Sequence, residues 1–244
     1  MLRRFVGAES GEDAVMRDAI QRAGVVIAGS VLGLCQVTLA GPDWAEIGDA
    51  GSFLGTAQAP TGIGGANLNT ISGHLTGGFF QGPGDFEDMY IIRITDPATF
   101  SCTVGTANFN SQLFLFNITL PGAAYGLLAN DDQSGSDNRP RMTNVATDGT
   151  GLVVDLPGDY LLAITGFNND PLSSTGPIFN QASLTEVSGP DGVGGFNRHI
   201  AWQGGGETGE YTIQLTGAGF PNFPAPGSLV LLALSAVPAM RRRR

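Results

Sequence analysis

Two groups of oxygen-bearing side chains offer the clearest chemistry in this 244-residue sequence, and each lies at one end of an apolar run. The groups are Asp85, Glu87 and Asp88, before one run, and Asn130, Asp131 and Asp132, after another. Calcium takes about six to eight oxygen ligands, which closely spaced carboxylates on turns supply. If the two apolar runs form neighbouring strands, the groups converge, and the pattern predicts a calcium site at one sheet end. The alternative is that 130–132 is an ordinary turn, because Asn and Asp bond to their own backbone, and that the other acids are solvated.

Catalytic chemistry has little support in the residue pattern. The sequence contains two histidines, His74 and His199, and neither has a second metal ligand four residues on or a nearby pair of cysteines. No Gly-x-Ser-x-Gly motif occurs. The sequence therefore predicts a protein that is not an enzyme. A hydrolase whose triad is assembled from distant residues remains the alternative.

Aromatic residues near a long Gly-, Pro- and Asn-rich stretch provide a second kind of candidate site. Trp44, Trp202 and Phe196 could form an exposed platform for sugar rings, with 168–208 as the loop that carries it. The other interpretation is that these aromatic rings pack in the core or anchor loops. A carbohydrate- or protein-binding module, with extracellular polysaccharide as a partner, is therefore an alternative function.

The elements that must position these residues are short strands. Apolar runs alternate with turn residues, and the sequence has 37 Gly and 14 Pro. The predicted strands are 88–96, 99–106, 112–118, 151–156, 160–167 and 210–216. The run 112–118 is apolar on both faces, as in a central strand. No stretch of the body has an amphipathic helical pattern, so the sequence predicts an all-β domain.

Two of these strands share a local pattern. The segments 158–166 and 209–217 both read Gly, acid, Tyr, alternating aliphatic residues, Thr and Gly. A single match of this kind indicates two similar strands that follow similar turns. We expect Tyr160 and Tyr211 to pack their rings in the core and to place their hydroxyls in water at the sheet end.

The charge of the body excludes one class of partner. Residues 41–220 contain 18 acidic residues and four arginines, and the whole sequence contains no lysine. Such a surface repels nucleic acid and is compatible with divalent cations. The body has one cysteine, Cys102, so it cannot form an internal disulfide, and we expect this thiol to be a buried small apolar group.

Both ends of the sequence have the composition of targeting segments. Residues 23–34 form an apolar stretch that follows Arg17 and Arg22 and is followed by a small-residue site ending at Ala40. This arrangement predicts a signal peptide over 1–40, with cleavage after Ala40. The acidic extension before it is explained if Met16 is the true start. The domain organisation is then a signal at 1–40, one domain at 41–220 and a tail at 221–244.

The tail has three parts: a turn motif with Pro224, Ala225 and Pro226, an apolar run at 229–240 and arginines at 241–244. The run is shorter than a bilayer core, and the arginines favour the cytoplasmic side. This layout resembles the PEP-CTERM sorting signal of bacterial surface proteins, with Pro-Ala-Pro in place of Pro-Glu-Pro. The resemblance implies cleavage by an exosortase-like enzyme after a transient membrane anchor. A plain, uncleaved anchor is the alternative.

The body also resembles the bacterial pre-peptidase C-terminal domain over 67–217. The resemblance is carried by the acidic turn and strand at 85–94, the alternating strand at 112–116, the acidic turn at 127–132, the hairpin at 156–164 and the last strand at 211–215. It implies a single jelly-roll-like β-sandwich, in a family where some members bind calcium near strand ends. The stretch 168–208 is an insertion relative to the compact form of that family.

Together these patterns predict an exported, surface-sorted, non-catalytic protein of the cell envelope or extracellular matrix, with Ca²⁺ as a stabilising cation. Its expected partners are an exosortase-like enzyme and, through the tail, a membrane. Its expected location is the cell surface or the extracellular space.

Overall fold

The protein is described here by a computed structural model that covers residues 43–78, 84–119 and 122–222. This part of the chain is almost entirely β-structure, with one short 3₁₀-helix at Pro97–Thr99. The strands are β1 (Asp43–Ala45), β2 (Thr70–His74), β3 (Glu87–Ile94), β4 (Ser101–Ala107), β5 (Ser111–Thr119), β6 (Ala123–Asn130), β7 (Arg141–Thr143), β8 (Gly158–Gly166), β9 (Pro171–Ser173), β10 (Gly176–Pro177), β11 (Ala201–Trp202), β12 (Glu210–Thr216) and β13 (Ala218–Gly219). The all-β prediction is confirmed.

The strands form two five-stranded sheets and one small sheet. The first sheet has the order β1-β2-β12-β4-β7, and the second has the order β13-β3-β8-β5-β6. The small sheet has the order β10-β9-β11. Every strand pair is antiparallel except β1 with β2, which is parallel. In the second sheet, the first residues of β3 and β5 lie beside the last residues of β8 and β6. We call this end of the sheet the acidic end.

The main hydrophobic core is built by alternate residues from both five-stranded sheets. From the second sheet it takes Tyr90, Ile92 and Ile94, and from the first sheet Cys102 and Ile213. Because side chains alternate across a strand, residues two apart share this face. The predicted facing of β3, β4 and β12 is confirmed, and Cys102 is a buried free thiol.

The other face of the second sheet is also covered. Phe114 and Phe116 of β5 pack there against Ile178, Phe179 and Trp202, which come from the stretch predicted as a loop. That stretch contains β9, β10 and β11 and forms a second hydrophobic cluster. It is therefore part of the folded domain, and β5 is apolar on both faces because both faces are buried, as predicted.

Two details of the sequence prediction differ from the structure. Residues 151–156 do not form a strand, and Val153 makes only an isolated bridge to Val145. Tyr160 and Tyr211 both place their rings in the core, as expected. The Tyr211 hydroxyl, however, is buried and bonded to Asp88 instead of water.

The last described residues, which end at Asn222, lie at the end of the second sheet opposite the acidic end. Strand β13 pairs with Ile94 and Arg93, at the far end of β3. The backbone N–H of Asn222 donates to Asp159, which is the cross-strand neighbour of Arg93. No helix within the described ranges is long and apolar enough to cross a membrane. The predicted signal, Ala40, Met16 and the motif Pro224, Ala225 and Pro226 lie outside the described residues.

Candidate cation site

The structure brings three carboxylates together at the acidic end, and one of them was predicted. One carboxylate oxygen from each of Glu46, Asp49 and Asp88 lies within 4.8 Å of the others. Oxygen ligands lie about 2.3–2.6 Å from calcium, so two ligands of one ion are separated by up to about 5 Å. The spacing of this carboxylate trio therefore fits one divalent cation.

The loop after β1 supplies two members of the trio. Glycines at positive φ, Gly48 at 73° and Gly51 at 67°, turn the chain tightly where other residues would be strained. Glu46 then accepts the backbone N–H of Ala50 at 3.0 Å, and its other oxygen accepts the N–H of His74 at 2.9 Å. These bonds fix the Glu46 carboxylate against the end of β2.

Asp88 is the buried member of the trio. It points from β3 into the main core and is fully buried, whereas Asp49 is exposed. Its Oδ2 accepts the Tyr211 hydroxyl at 2.6 Å, and that hydroxyl is 2.6 Å from the hydroxyl of Tyr90. Within the described ranges its Oδ1 has no hydrogen-bond partner. A buried carboxylate oxygen without a partner has a large desolvation cost, which a bound cation or proton relieves.

The electrostatics of the site are uniformly acidic. Burial is the main cause that raises the pKa of Asp88 to about 8; the Tyr211 hydrogen bond opposes this rise, and the charges of Glu46, Asp85 and Asp49 contribute to it. Burial also raises the pKa of Glu46. Protons and metal ions compete for such a site, so we expect cation binding to strengthen as the pH rises.

A polar cavity reaches the trio from the first sheet. It has a volume of about 480 Å³ and is lined by Glu46, His74, Asn108 and Tyr211, among other residues. Gly73 makes the contact between β2 and this site possible, because a Cβ there would collide with the Tyr211 hydroxyl and the Glu46 carboxylate. Glu46 is therefore accessible from the cavity, while Asp88 lies beneath it.

The other predicted ligands occupy different places. Asp85 lies near the trio and accepts the N–H and the hydroxyl of Thr76, both at 2.8 Å. Glu87 is on the opposite face of β3 from Asp88 and accepts the Asn169 side chain at 2.8 Å. The prediction of one ligand set from 85, 87 and 88 is wrong for Glu87, because adjacent strand residues point to opposite faces.

The second predicted group does not join the first. The first group, at the start of β3, and the second group, at the end of β6, lie at the same end of the sheet. Strands β8 and β5 lie between β3 and β6, so the two groups are roughly 14 Å apart at about 4.8 Å per strand. Asn130 holds backbone groups: its oxygen accepts the Arg141 N–H at 2.7 Å, and its amide donates to Glu186. Asp131, which follows the last residue of β6, is fully buried.

His199 and Trp202, one histidine and one tryptophan of the sequence candidates, are both buried. His199 is buried against Phe53, Phe116 and Trp202, and burial lowers its pKa to about 4. Trp202 is buried, and its Nε1 donates to the Ser52 carbonyl at 2.7 Å. The loop-anchoring interpretation of Trp202 is confirmed.

Comparison with protein-family models, with curated proteins and with solved structures found no match. The functional argument for this chain therefore rests on its own residues. Glu46 and Asp49 were missed from the sequence, although the segment 46–51 carries acids and glycines at turn spacing. Their partner could not be recognised, because β1 reaches Asp88 only through the long-range pairing of β1, β2 and β12.

Removing the Tyr211 hydroxyl is expected to destabilise the site without removing a carboxylate. Tyr211→Phe leaves the hydroxyl of Tyr90 and the Oδ2 atom of Asp88 without this partner, at a cost of roughly 1–2 kcal/mol in the free energy of unfolding. Urea denaturation of the full chain measures the change. Tyr160→Phe is the matched control, because that hydroxyl makes one bond, to the Leu156 carbonyl. A loss for Tyr211→Phe no larger than the control's would contradict the expectation.

Proposed function

We propose that this chain is an exported, non-catalytic protein of the cell envelope or extracellular matrix whose folded domain is stabilised by calcium. The observation that carries the proposal is the fully buried, unpartnered Oδ1 of Asp88 beside Glu46 and Asp49. A positive charge bound there would offset the desolvation cost of this carboxylate oxygen.

The composition of the chain favours a metal ion over a basic side chain as that charge. The sequence has no lysine, and the two ion pairs in the described ranges, Arg93 with Asp159 and Arg139 with Asp137, use other acids. Calcium suits the site because loop carboxylates form its usual ligands, and extracellular modules bind it with a Kd of about 10⁻⁴–10⁻³ M. Waters and further oxygens would complete the ion's shell.

The proposed architecture is a jelly-roll-like β-sandwich. Two five-stranded sheets that contribute to one core support this assignment, as does the resemblance of 67–217 to the pre-peptidase C-terminal domain. The segment that bears β9 to β11 is then an insertion that covers the outer face of one sheet. A sandwich of this kind suits binding, spacing or assembly outside the cell.

The proposed location depends on the two ends of the sequence. The segment ending at Ala40 would direct export, and the tail with Pro224, Ala225 and Pro226 would hold the chain at a membrane for an exosortase-like enzyme. An acidic surface and an exported location are both compatible with a calcium-rich environment. Extracellular polysaccharide would be a partner of the exported domain.

A thermal melt of the full chain tests the calcium proposal. At a calcium concentration about 100-fold above the Kd, binding should add about 2.7 kcal/mol to the free energy of unfolding. For a domain of this size that corresponds to a rise in Tm of roughly 5–10 °C relative to the chelated protein. Magnesium at the same concentration is the control, since it demands a more regular shell and should give a smaller rise. Equal Tm values with calcium and chelator would refute the proposal.

A further inference from the structure

A row of polar side chains crosses the outer face of the second sheet at the acidic end. Glu87, Thr165 and Gln112 are successive cross-strand neighbours on β3, β8 and β5. Leu113 pairs with Asn130, the last residue of β6, and Gln112 and Asp131 each lie one residue beyond this pair. All four members share the face on which the second hydrophobic cluster lies, because they are two residues from its members on the same strands.

The segment after β8 covers this row and is hydrogen-bonded to it. Asn169 donates to Glu87 at 2.8 Å, and its backbone N–H donates to the Gln112 side chain at 3.3 Å. Gln112 in turn donates to Asp170 at 3.1 Å and to Gln181 at 3.5 Å. The buried network therefore runs from β3 to the covering segment without a break.

The polar row ends at Asp131, whose carboxylate takes no part in this network of described residues. This side chain is fully buried, and neither of its oxygens has a hydrogen-bond partner among the described residues. Burial, with a smaller contribution from the charges of Asp132 and Asp170, raises its pKa to about 7. Asp132 also has a buried oxygen, Oδ1, with no partner there. Asp132 and Asp170 thus add negative charge near this buried carboxylate, and neither of the two ion pairs in the described ranges involves it.

Backbone contacts bring the covering segment to this position. The N–H of Asp132 donates to the Leu184 carbonyl at 2.8 Å, and Ala129 exchanges two backbone bonds with Ser188. Asp170 enters from the other side through its bond to Gln112. The segment is therefore bonded to the sheet around Asp131, through backbone bonds at Ala129 and Asp132 and through the bond between Asp170 and Gln112.

We propose that Asp131, together with Asp132 and Asp170, binds a second divalent cation, calcium, which fastens residues 167–200 to the sheet. This site shares no residue with the carboxylate trio. Within the described ranges only the trio brings three carboxylates within 4.8 Å, so the second ion must draw Asp170 towards Asp131 as it binds. Its affinity is therefore lower than that of the trio, and its binding orders the covering segment.

Calorimetric titration of the full chain with calcium tests this inference by counting ions. We expect two ions for the unaltered protein, one for Asp131→Asn and one for Asp88→Asn. Asp155→Asn is the matched control, because Asp155 is exposed and lies in neither site, and it should keep both ions. Hydrogen exchange with calcium and with chelator should show protection of 167–200 by calcium, and this protection should be lost in Asp131→Asn but kept in Asp88→Asn.

The two proposals fail in different ways. If Asp131→Asn binds as many ions as the unaltered protein and its segment is protected equally, the second site is refuted, and Asp131 is simply a buried protonated acid. In that case, the loss of one ion in Asp88→Asn would still support the proposal of the first site, at the carboxylate trio. If Asp131→Asn does not fold, Asp170→Asn replaces it, since Asp170 is only partly buried. The number of bound calcium ions and the protection of 167–200 in that variant then test the second site.

Discussion

Replacing Asp88 with Asn is expected to abolish the stabilisation that calcium gives through the carboxylate trio. Asn keeps the shape of the side chain and can still accept the Tyr211 hydroxyl, but it removes the buried negative charge. Glu46 and Asp49 remain, yet both are partly solvated, and two carboxylates hold the ion far less well than three. The rise in Tm of roughly 5–10 °C at saturating calcium should shrink to that of any second site.

Differential scanning calorimetry of the full chain with calcium and with chelator measures this effect. Asp155→Asn should behave like the unaltered protein, because its carboxylate is exposed and remote from the trio. Asp49→Asn provides an intermediate case, since it removes an exposed ligand from the edge of the site. An undiminished calcium shift in Asp88→Asn would show that the ion does not bind at the trio.

In the presence of a chelator, the unaltered protein is expected to lose stability relative to Asp88→Asn as the pH rises from 5 to 8. Burial raises the Asp88 pKa from an ordinary value of 3.8 to about 8 in the folded state. Between these values the folded state binds a proton that the unfolded state does not. The stabilisation from the protonated Asp88 side chain is therefore fully present below about pH 4. As the pH rises towards 8, this stabilisation is lost at about 1.4 kcal/mol per pH unit.

The comparison with Asp88→Asn isolates this effect from other titrating groups. Asp131 acts in the same direction up to about pH 7, whereas His199, whose pKa burial lowers to about 4, acts in the opposite direction below pH 6.5. Both contributions are present in the two proteins and cancel in the difference. From pH 5 to 8 the difference should reach about 4 kcal/mol, measured by urea denaturation at each pH. Parallel pH profiles would contradict it, and calcium should flatten the profile of the unaltered protein.

The strand pattern could be predicted because it is a local property. Tyr90, Ile92 and Ile94 alternate with Met89 and Ile91, and each set enters a different hydrophobic cluster. The error at 151–156 has a local cause as well: Val153 and Leu156 are exposed, and Val154 is the buried residue. The covering segment was missed as structure because its buried pair Ile178 and Phe179 stands between stretches rich in polar and turn residues, with no alternation to mark a strand.

The candidate site could be predicted only in part, because it depends on contacts between distant residues. Acidic residues at the start of β3 pointed to Asp88, but alternation alone could not place the loop of Glu46 beside it. The same limit applies to Asp131, whose position in the sequence resembles a solvated turn. Its burial follows from the segment 167–200, which folds back over the sheet edge.

The last described residue, Asn222, and the carboxylate trio lie at opposite ends of the second sheet, which affects how the protein would be oriented on a surface. Asn222 is held at the far end of β3, while Asp88 is near the start of that strand, a separation of roughly 20 Å at about 3.3 Å per residue. If the tail attaches the chain to a cell surface, as we propose, the proposed calcium site lies at the tip of the domain farthest from the attachment. A neighbouring cell or polymer would meet this tip first, and loss of calcium would loosen the outermost loops while the attachment remained intact.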